Sequence, residues 1–204
     1  MKTRLARFAF GLILAPLMPI ACLLLFWWAA FTVLPEKWIP AGALLGLLLG
    51  ILVDVFVLKW LVEHAYQSGL IFWLVILLFY SVGTFGFFMG VPIFNVALAI
   101  PAGFVVGARL AHSAAEQVQV QHSSRQACYL TTVLMTLVCA ASAFFALMSP
   151  STPADLRGML GLGFEVTPSM LWGLILVGGA GLLVVNWLLT GLAIRITYRY
   201  LSIP

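Results

Sequence analysis

The fold of this chain is decided by residues 81–110, which read SVGTFGFFMGVPIFNVALAIPAGFVVGARL. The stretch carries no charge before Arg109, and its Gly-Val-Pro turn at residues 90–92 separates the end of one apolar helix from a complete second one. Small residues and one amide share a face of the second segment, four residues apart: Asn95, Ala99, Gly103 and Gly107. Three glycines share a face of the first: Gly83, Gly86 and Gly90. Since small residues let membrane helices approach closely, we expect this hairpin to be the tightly packed centre of a helix bundle.

The composition excludes a water-soluble domain. Of the 204 residues, 64% are hydrophobic and only 8% are charged, and the mean hydropathy is +1.15. A soluble domain carries about 25% charged residues, so this chain cannot cover its surface with them. The longest polar stretch, residues 111–127, is about seventeen residues long and leaves no room for a separate soluble catalytic domain. We therefore predict a single membrane domain over residues 1–204.

The apolar runs predict an all-α fold, a polytopic bundle of six transmembrane helices with short loops. A membrane helix needs about 20 apolar residues. Runs of roughly this length or longer occupy residues 7–34, 40–62, 70–89, 92–109, 127–148 and 168–198. Pro16 and Pro19 lie inside the first run and are expected to bend it, because proline removes a helical hydrogen bond.

Basic residues predict the orientation of the six spans. With both termini inside the cell, eight Lys and Arg residues fall on the inner side and two, Lys37 and Arg157, on the outer side. The inner set is Lys2, Arg4, Arg7, Lys59, Arg109, Arg125, Arg195 and Arg199. Because basic residues are retained on the cytoplasmic side, this asymmetry favours an N-in/C-in protein of the cell membrane, with the bacterial cytoplasmic membrane as its expected location.

Glycines on two of the spans predict close helix packing. The second span carries Gly42, Gly46 and Gly50 at intervals of four residues, and the fourth carries Gly103 and Gly107. Both sets are expected to face neighbouring helices.

Asp54 continues the glycine face of the second span and is the one acidic residue deep in a predicted span. Polar residues predicted at a similar depth or near the midplane are Tyr80, Thr136, Asn186 and Thr190. Together with Asp54 they predict an intramembrane polar site that binds a proton or a cation. The alternative is a structural Asp54 that stays protonated and donates a hydrogen bond to a neighbouring helix, since burial in a medium of low polarity disfavours the charged form.

The outer loops offer a second candidate site. A vestibule for a small polar solute is predicted from Glu36, Asn95, Asp155, Arg157 and Glu165. The alternative is that these loop charges are simply solvated.

The sequence contains no pattern typical of catalysis or metal binding. It has no HExxH, no P-loop and no nucleophile elbow, and its three cysteines lack metal-ligand spacing. His112 and Glu116 are four residues apart, but two ligands do not make a site. We predict no catalytic residue, no cofactor and no metal. The net charge of +4 is explained by membrane orientation and does not require a nucleic acid partner.

Three functions remain open at this stage. The first is a small transporter or channel component that uses Asp54, with a small solute or cation as its ligand. The second is a non-catalytic subunit that assembles or stabilises a larger membrane complex, with a membrane protein or another copy of the chain as its partner. The third is an intramembrane enzyme that processes lipid. In all three the lipid bilayer surrounds the chain.

Overall fold

The chain folds into helices joined by turns. The computed structural model describes residues 2–113, 115–161 and 163–202, and no strand occurs among them. Six helices in these ranges are long and apolar enough to cross a membrane: Arg4–Val33, Glu36–His64, Leu70–Phe87, Pro92–His112, Gln117–Met148 and Pro168–Ser202. The predicted helical class and the six membrane-length helices are confirmed, and they indicate a membrane-embedded protein.

Several of these spans consist of more than one helical segment. The α-helices are α1 (Lys2–Leu14), α2 (Leu17–Val33), α3 (Ile39–His64), α4 (Leu70–Phe87), α5 (Ala99–His112), α6 (Gln117–Met148), α7 (Thr152–Leu160), α8 (Pro168–Gly173) and α9 (Gly179–Ser202). Short 3₁₀ segments precede α3 at Glu36–Trp38 and α5 at Pro92–Leu98. A π-helical segment, Leu174–Gly178, joins α8 to α9 within the last span.

The chain divides into two compact units, residues 1–72 and 73–204, and the division falls inside α4. Each unit is described by itself below. The single membrane domain expected from the sequence stays a prediction.

In the first unit, the first span is interrupted between α1 and α2. Pro16 and Pro19 have no N–H, so they remove the donors that would normally bond to the carbonyls of Leu12 and Ala15. The structure has a two-residue break at Ala15 and Pro16, in the region where the sequence predicts a bend, and α2 begins at Leu17. Phe10 and Leu14, just before the break, are fully buried.

Helices α2 and α3 pack along the α3 glycine stripe, which we define as Gly42, Gly46 and Gly50. A Cβ added at Gly46 would lie 2.5 Å from both the Cys22 carbonyl oxygen and the Phe26 Cβ. One added at Gly50 would lie 2.6 Å from the Pro19 Cα. These separations are too short for any side chain larger than hydrogen. The backbones of α2 and α3 are therefore in contact at the glycines of α3.

In the second unit, the closest packing joins α5 to α9 along the α5 glycine stripe, Gly103 and Gly107. A Cβ at Gly103 would lie 2.6 Å from the Ala193 Cβ, and one at Gly107 would lie 2.7 Å from the carbonyl oxygen of Ile194. Ile194 is fully buried between these elements and forms a small core with Leu110 and Ala115. Helix α6 also packs on α9.

Helix α4 does not share this packing. No atom of the described chain, apart from local neighbours, lies within 4 Å of a Cβ built at Gly83 or Gly86. The expectation that both helices of the hairpin 81–110 are tightly packed is therefore wrong for α4. Gly83 and Gly86 do have the spacing that places them on one face of α4, but no neighbouring helix in the described ranges packs against that face.

Helix α4 ends on a left-handed turn at Met89 and Gly90, whose φ angles are +55° and +79°. The Gly90 N–H donates to the Phe85 carbonyl at 2.7 Å. This six-to-one hydrogen bond is typical of a helix that is closed by a left-handed residue, which here is Met89. The chain then enters the 3₁₀ segment, which carries Asn95 back toward α4.

Candidate functional site

Asp54 lies one helical turn beyond the α3 glycine stripe and is buried. It is only 9% exposed, although it is an acidic residue within a membrane-length helix. Its Oδ1 is enclosed and has no hydrogen-bond partner among the described residues. A buried carboxyl oxygen without a partner is costly, so its presence requires an explanation.

The register of α2 against α3 sets the level of Asp54. Gly46 lies against the Cys22 carbonyl, and Gly50 lies against the Met18 carbonyl and Pro19. Four residues forward on α3 therefore correspond to about four residues back on α2. Extending the same step from Gly50 to Asp54, beyond the start of α2, points to the level of Leu14 and Ala15 at the break between α1 and α2.

A second group of polar side chains is buried within the second unit, where it connects α4 to the 3₁₀ segment. Asn95 is 4% exposed, and its Nδ2 donates to the Ser81 carbonyl at 2.9 Å and to the Ser81 Oγ at 2.8 Å. Since a carbonyl can only accept, the first bond requires that the nitrogen of the Asn95 amide faces Ser81. The amide oxygen therefore points away from Ser81.

The same group continues onto α6 and α9. The hydroxyls of Thr131 and Thr190 lie 3.1 Å apart, and both are buried. Thr190 donates to the Asn186 carbonyl at 2.9 Å, one turn earlier on α9. We call Ser81, Asn95, Thr131, Asn186 and Thr190 the amide–hydroxyl cluster. It contains no ionisable side chain, so its chemistry is hydrogen bonding between neutral groups.

The structure places the residues of the predicted intramembrane site in different surroundings. Asp54 belongs to the first unit, whereas Asn186 and Thr190 belong to the amide–hydroxyl cluster of the second. Tyr80 is half-buried on α4, with its ring 5.7 Å from that of Phe79. Thr136 is exposed, and its hydroxyl donates to the Thr132 carbonyl of its own helix. A single site that joins these residues to Asp54 stays a prediction.

The residues of the predicted outer vestibule divide by burial. Glu36, Asp155, Arg157 and Glu165 are exposed, and Asp155 accepts a hydrogen bond from the Ser151 hydroxyl at 2.8 Å. Asn95 is different, because it is buried and bonded to Ser81. Solute binding at the four exposed residues stays a prediction. Within the described ranges there is no group of three or more metal-ligating side chains.

Sequence reasoning did not assign Thr131 to a polar site. Thr131, Thr132 and Thr136 all lie in one apolar stretch of α6, and nothing in their spacing separates them. Thr131 enters the cluster because it faces Thr190 across the α6–α9 contact, whereas Thr136 points outward. That choice depends on the rotation of α6 against α9, which no local sequence pattern encodes.

Comparison with known proteins does not add a family. No protein-family model matches the chain, and neither does any curated protein or solved structure. The functional argument therefore depends on the residues themselves.

Proposed function

We propose that this chain is a small transporter or channel component, and that Asp54 is its site for a proton or a monovalent cation. The observation that carries the proposal is the burial of Asp54, with an Oδ1 that has no hydrogen-bond partner in the described part of the chain. An aspartate at the centre of a membrane helix costs roughly 2.5–3.5 kcal/mol on insertion scales. A carboxyl group that serves only structure would be expected to recover this cost through a partner.

The interruption of the first span supports the same proposal. The register of the α3 glycine stripe, extended by one turn, brings Asp54 to the level of the α1–α2 break, where two prolines remove the usual donors to the carbonyls of Leu12 and Ala15. Interrupted membrane helices expose backbone carbonyl oxygens, and in transporters such oxygens take part in binding Na⁺ or a proton. A carboxylate beside such carbonyls offers the oxygen ligands that hard cations prefer.

Ion flux in reconstituted liposomes tests the proposal. Wild-type protein is expected to dissipate an imposed proton or Na⁺ gradient, and Asp54→Asn is expected to abolish that flux while the folded yield stays unchanged. Asn keeps the shape of the side chain but cannot carry the charge. The matched control is Glu63→Gln, an exposed position nine residues further along α3, and its flux should equal that of wild type. Equal flux through wild type and Asp54→Asn, or no flux of either ion through wild type, would contradict the proposal.

The proposal includes an N-in/C-in orientation in a cell membrane, expected to be the bacterial cytoplasmic membrane. It is supported by the excess of eight inner basic residues over two outer ones. Single cysteines introduced beside Arg157 and beside Arg199 should react with impermeant reagents from opposite sides of the membrane. Reaction of both from one side would refute this orientation.

A second candidate function is assembly within a larger membrane complex. The specific observation in its favour is the open glycine face of α4, where Gly83 and Gly86 have no close neighbour within the described ranges. Such a face would let a helix of another chain approach closely. Flux that is absent from the isolated chain but present with a co-purified membrane partner would favour this alternative.

A further inference from the structure

Four members of the amide–hydroxyl cluster line a small, partly open cavity in the second unit. The cavity has a volume of about 10 Å³, which is roughly the room that one water molecule needs. Four separate elements contribute its polar lining: α4 through Ser81, the 3₁₀ segment through Asn95, α6 through Thr131 and α9 through Asn186. Leucines, Ala99 and Met135 complete the wall, and none of the lining side chains is ionisable.

One wall of the cavity presents a hydrogen-bond acceptor. Asn95 uses its amide nitrogen for the two bonds to Ser81, so the position of its Oδ1 is fixed. That oxygen is buried and has no partner in the ranges that the structure describes.

Another wall presents a donor. The Nδ2 of Asn186 is also buried and unpartnered within the described chain, and the residue is 3% exposed. The neighbouring hydroxyls of Thr131 and Thr190 lie 3.1 Å apart, and each is also within hydrogen-bond distance of a backbone carbonyl of its own helix. Neither hydroxyl is a hydrogen-bond partner of the Asn186 Nδ2.

We propose that the cavity is a binding site for one water molecule, which donates a hydrogen bond to Asn95 Oδ1 and accepts one from Asn186 Nδ2. Water is a molecule of this size that offers both a donor and an acceptor, and each amide atom then finds the partner it lacks. A cation does not fit this chemistry, because Asn186 directs a donor into the cavity and no carboxylate lines it. The bound water connects the 3₁₀ segment to α9, and the Asn95–Ser81 bonds extend the connection to α4.

The proposal is tested on the full chain in lipid by a structure at a resolution that shows ordered water. Density for one water is expected within hydrogen-bond distance of both Asn95 Oδ1 and Asn186 Nδ2. Asn186→Leu, which has a similar shape but no donor, should lose this density. Thr136→Val, a change at an exposed position of α6, should keep it.

A second variant keeps the test independent of the stability of Asn186→Leu. Asn186→Asp preserves the shape, and because burial disfavours the charged form its protonated carboxyl can still donate, so the water should remain. A direct bond between the two amides, a cavity filled by a side chain, or a ligand at the short distances of a metal ion would each overturn the proposal. Loss of the density in Asn186→Asp, or unchanged density in Asn186→Leu, would also overturn it.

Discussion

The α3 glycine stripe and the α5 glycine stripe are built on the same spacing, but they lead to different polar groups. Gly42, Gly46 and Gly50 are followed by Asp54, a group that can carry charge and whose Oδ1 is left without a partner in the described chain. The α5 stripe packs on α9 beside a neutral network of amides and hydroxyls. Close backbone contact is thus common to both units, whereas a free carboxyl is found beside only one of these stripes. Close helix packing is therefore not specific to the candidate site, whereas the buried carboxyl of Asp54 is the feature on which the functional proposal depends.

The largest expected effect is on packing. Gly46→Leu and Gly103→Leu should each lower the free energy of unfolding by about 1–3 kcal/mol or more, because even a Cβ at these sites would overlap a neighbouring helix. The control is Gly83→Leu, where a Cβ meets open space and the change should stay within about 0.5 kcal/mol. Thermal unfolding in mild detergent measures all three. Equal stability of Gly46→Leu, Gly103→Leu and Gly83→Leu would remove the distinction between packed and open glycines.

A smaller change in stability should distinguish Asn95 from Asp54, because replacing each by leucine is expected to change the free energy of unfolding in opposite directions or not at all for Asp54. Leucine resembles both Asn and Asp in shape, so it removes the polar atoms with little change in volume. Asn95→Leu should destabilise the protein by about 1–2 kcal/mol, because it leaves the Ser81 carbonyl and hydroxyl without their donor. Asp54→Leu should leave stability unchanged or raise it, because it removes a buried oxygen that no described residue satisfies.

The same unfolding measurement decides this second comparison. A loss of stability in Asp54→Leu as large as that in Asn95→Leu would show that Asp54 has a structural partner. The functional proposal would then lose its main support, whereas the water site between Asn95 and Asn186 would be unaffected.

Much of the fold was predictable because the membrane restricts the choice of structure. Backbone groups in lipid must be bonded within the chain, so each long apolar run has to be helical. The break near Pro16 and the turn at Gly90 could be predicted for local reasons, since proline lacks a donor and glycine tolerates positive φ. The left-handed conformation of Met89 beside Gly90 could not be predicted in this way. The packing of α4 could not be predicted from the sequence. A face of glycines shows where another helix could approach closely, but it does not show whether a helix is there.

The candidate sites show the same division. Asp54 was identifiable from the sequence because a carboxyl group in an apolar helix is costly wherever the neighbouring helices lie. The role of Thr131 was not identifiable, because Thr136 has the same chemistry in the same helix and differs only in the direction it faces. Similarly, the sequence placed Asn95 just below an outer loop, as part of the predicted vestibule. In the structure the 3₁₀ segment places it against Ser81, to which it donates.

The sequence by itself determined that this chain is a helical membrane protein with six membrane-length helices and one deeply placed carboxyl group. These properties follow from composition and from local backbone chemistry, which act over a few residues. The tertiary structure alone decided which glycines touch a neighbour, that Asp54 Oδ1 has no partner in the described chain, and that one cavity is lined by both Asn95 and Asn186. These properties depend on how helices distant in sequence are rotated against each other, and that rotation is set by the packing of whole faces.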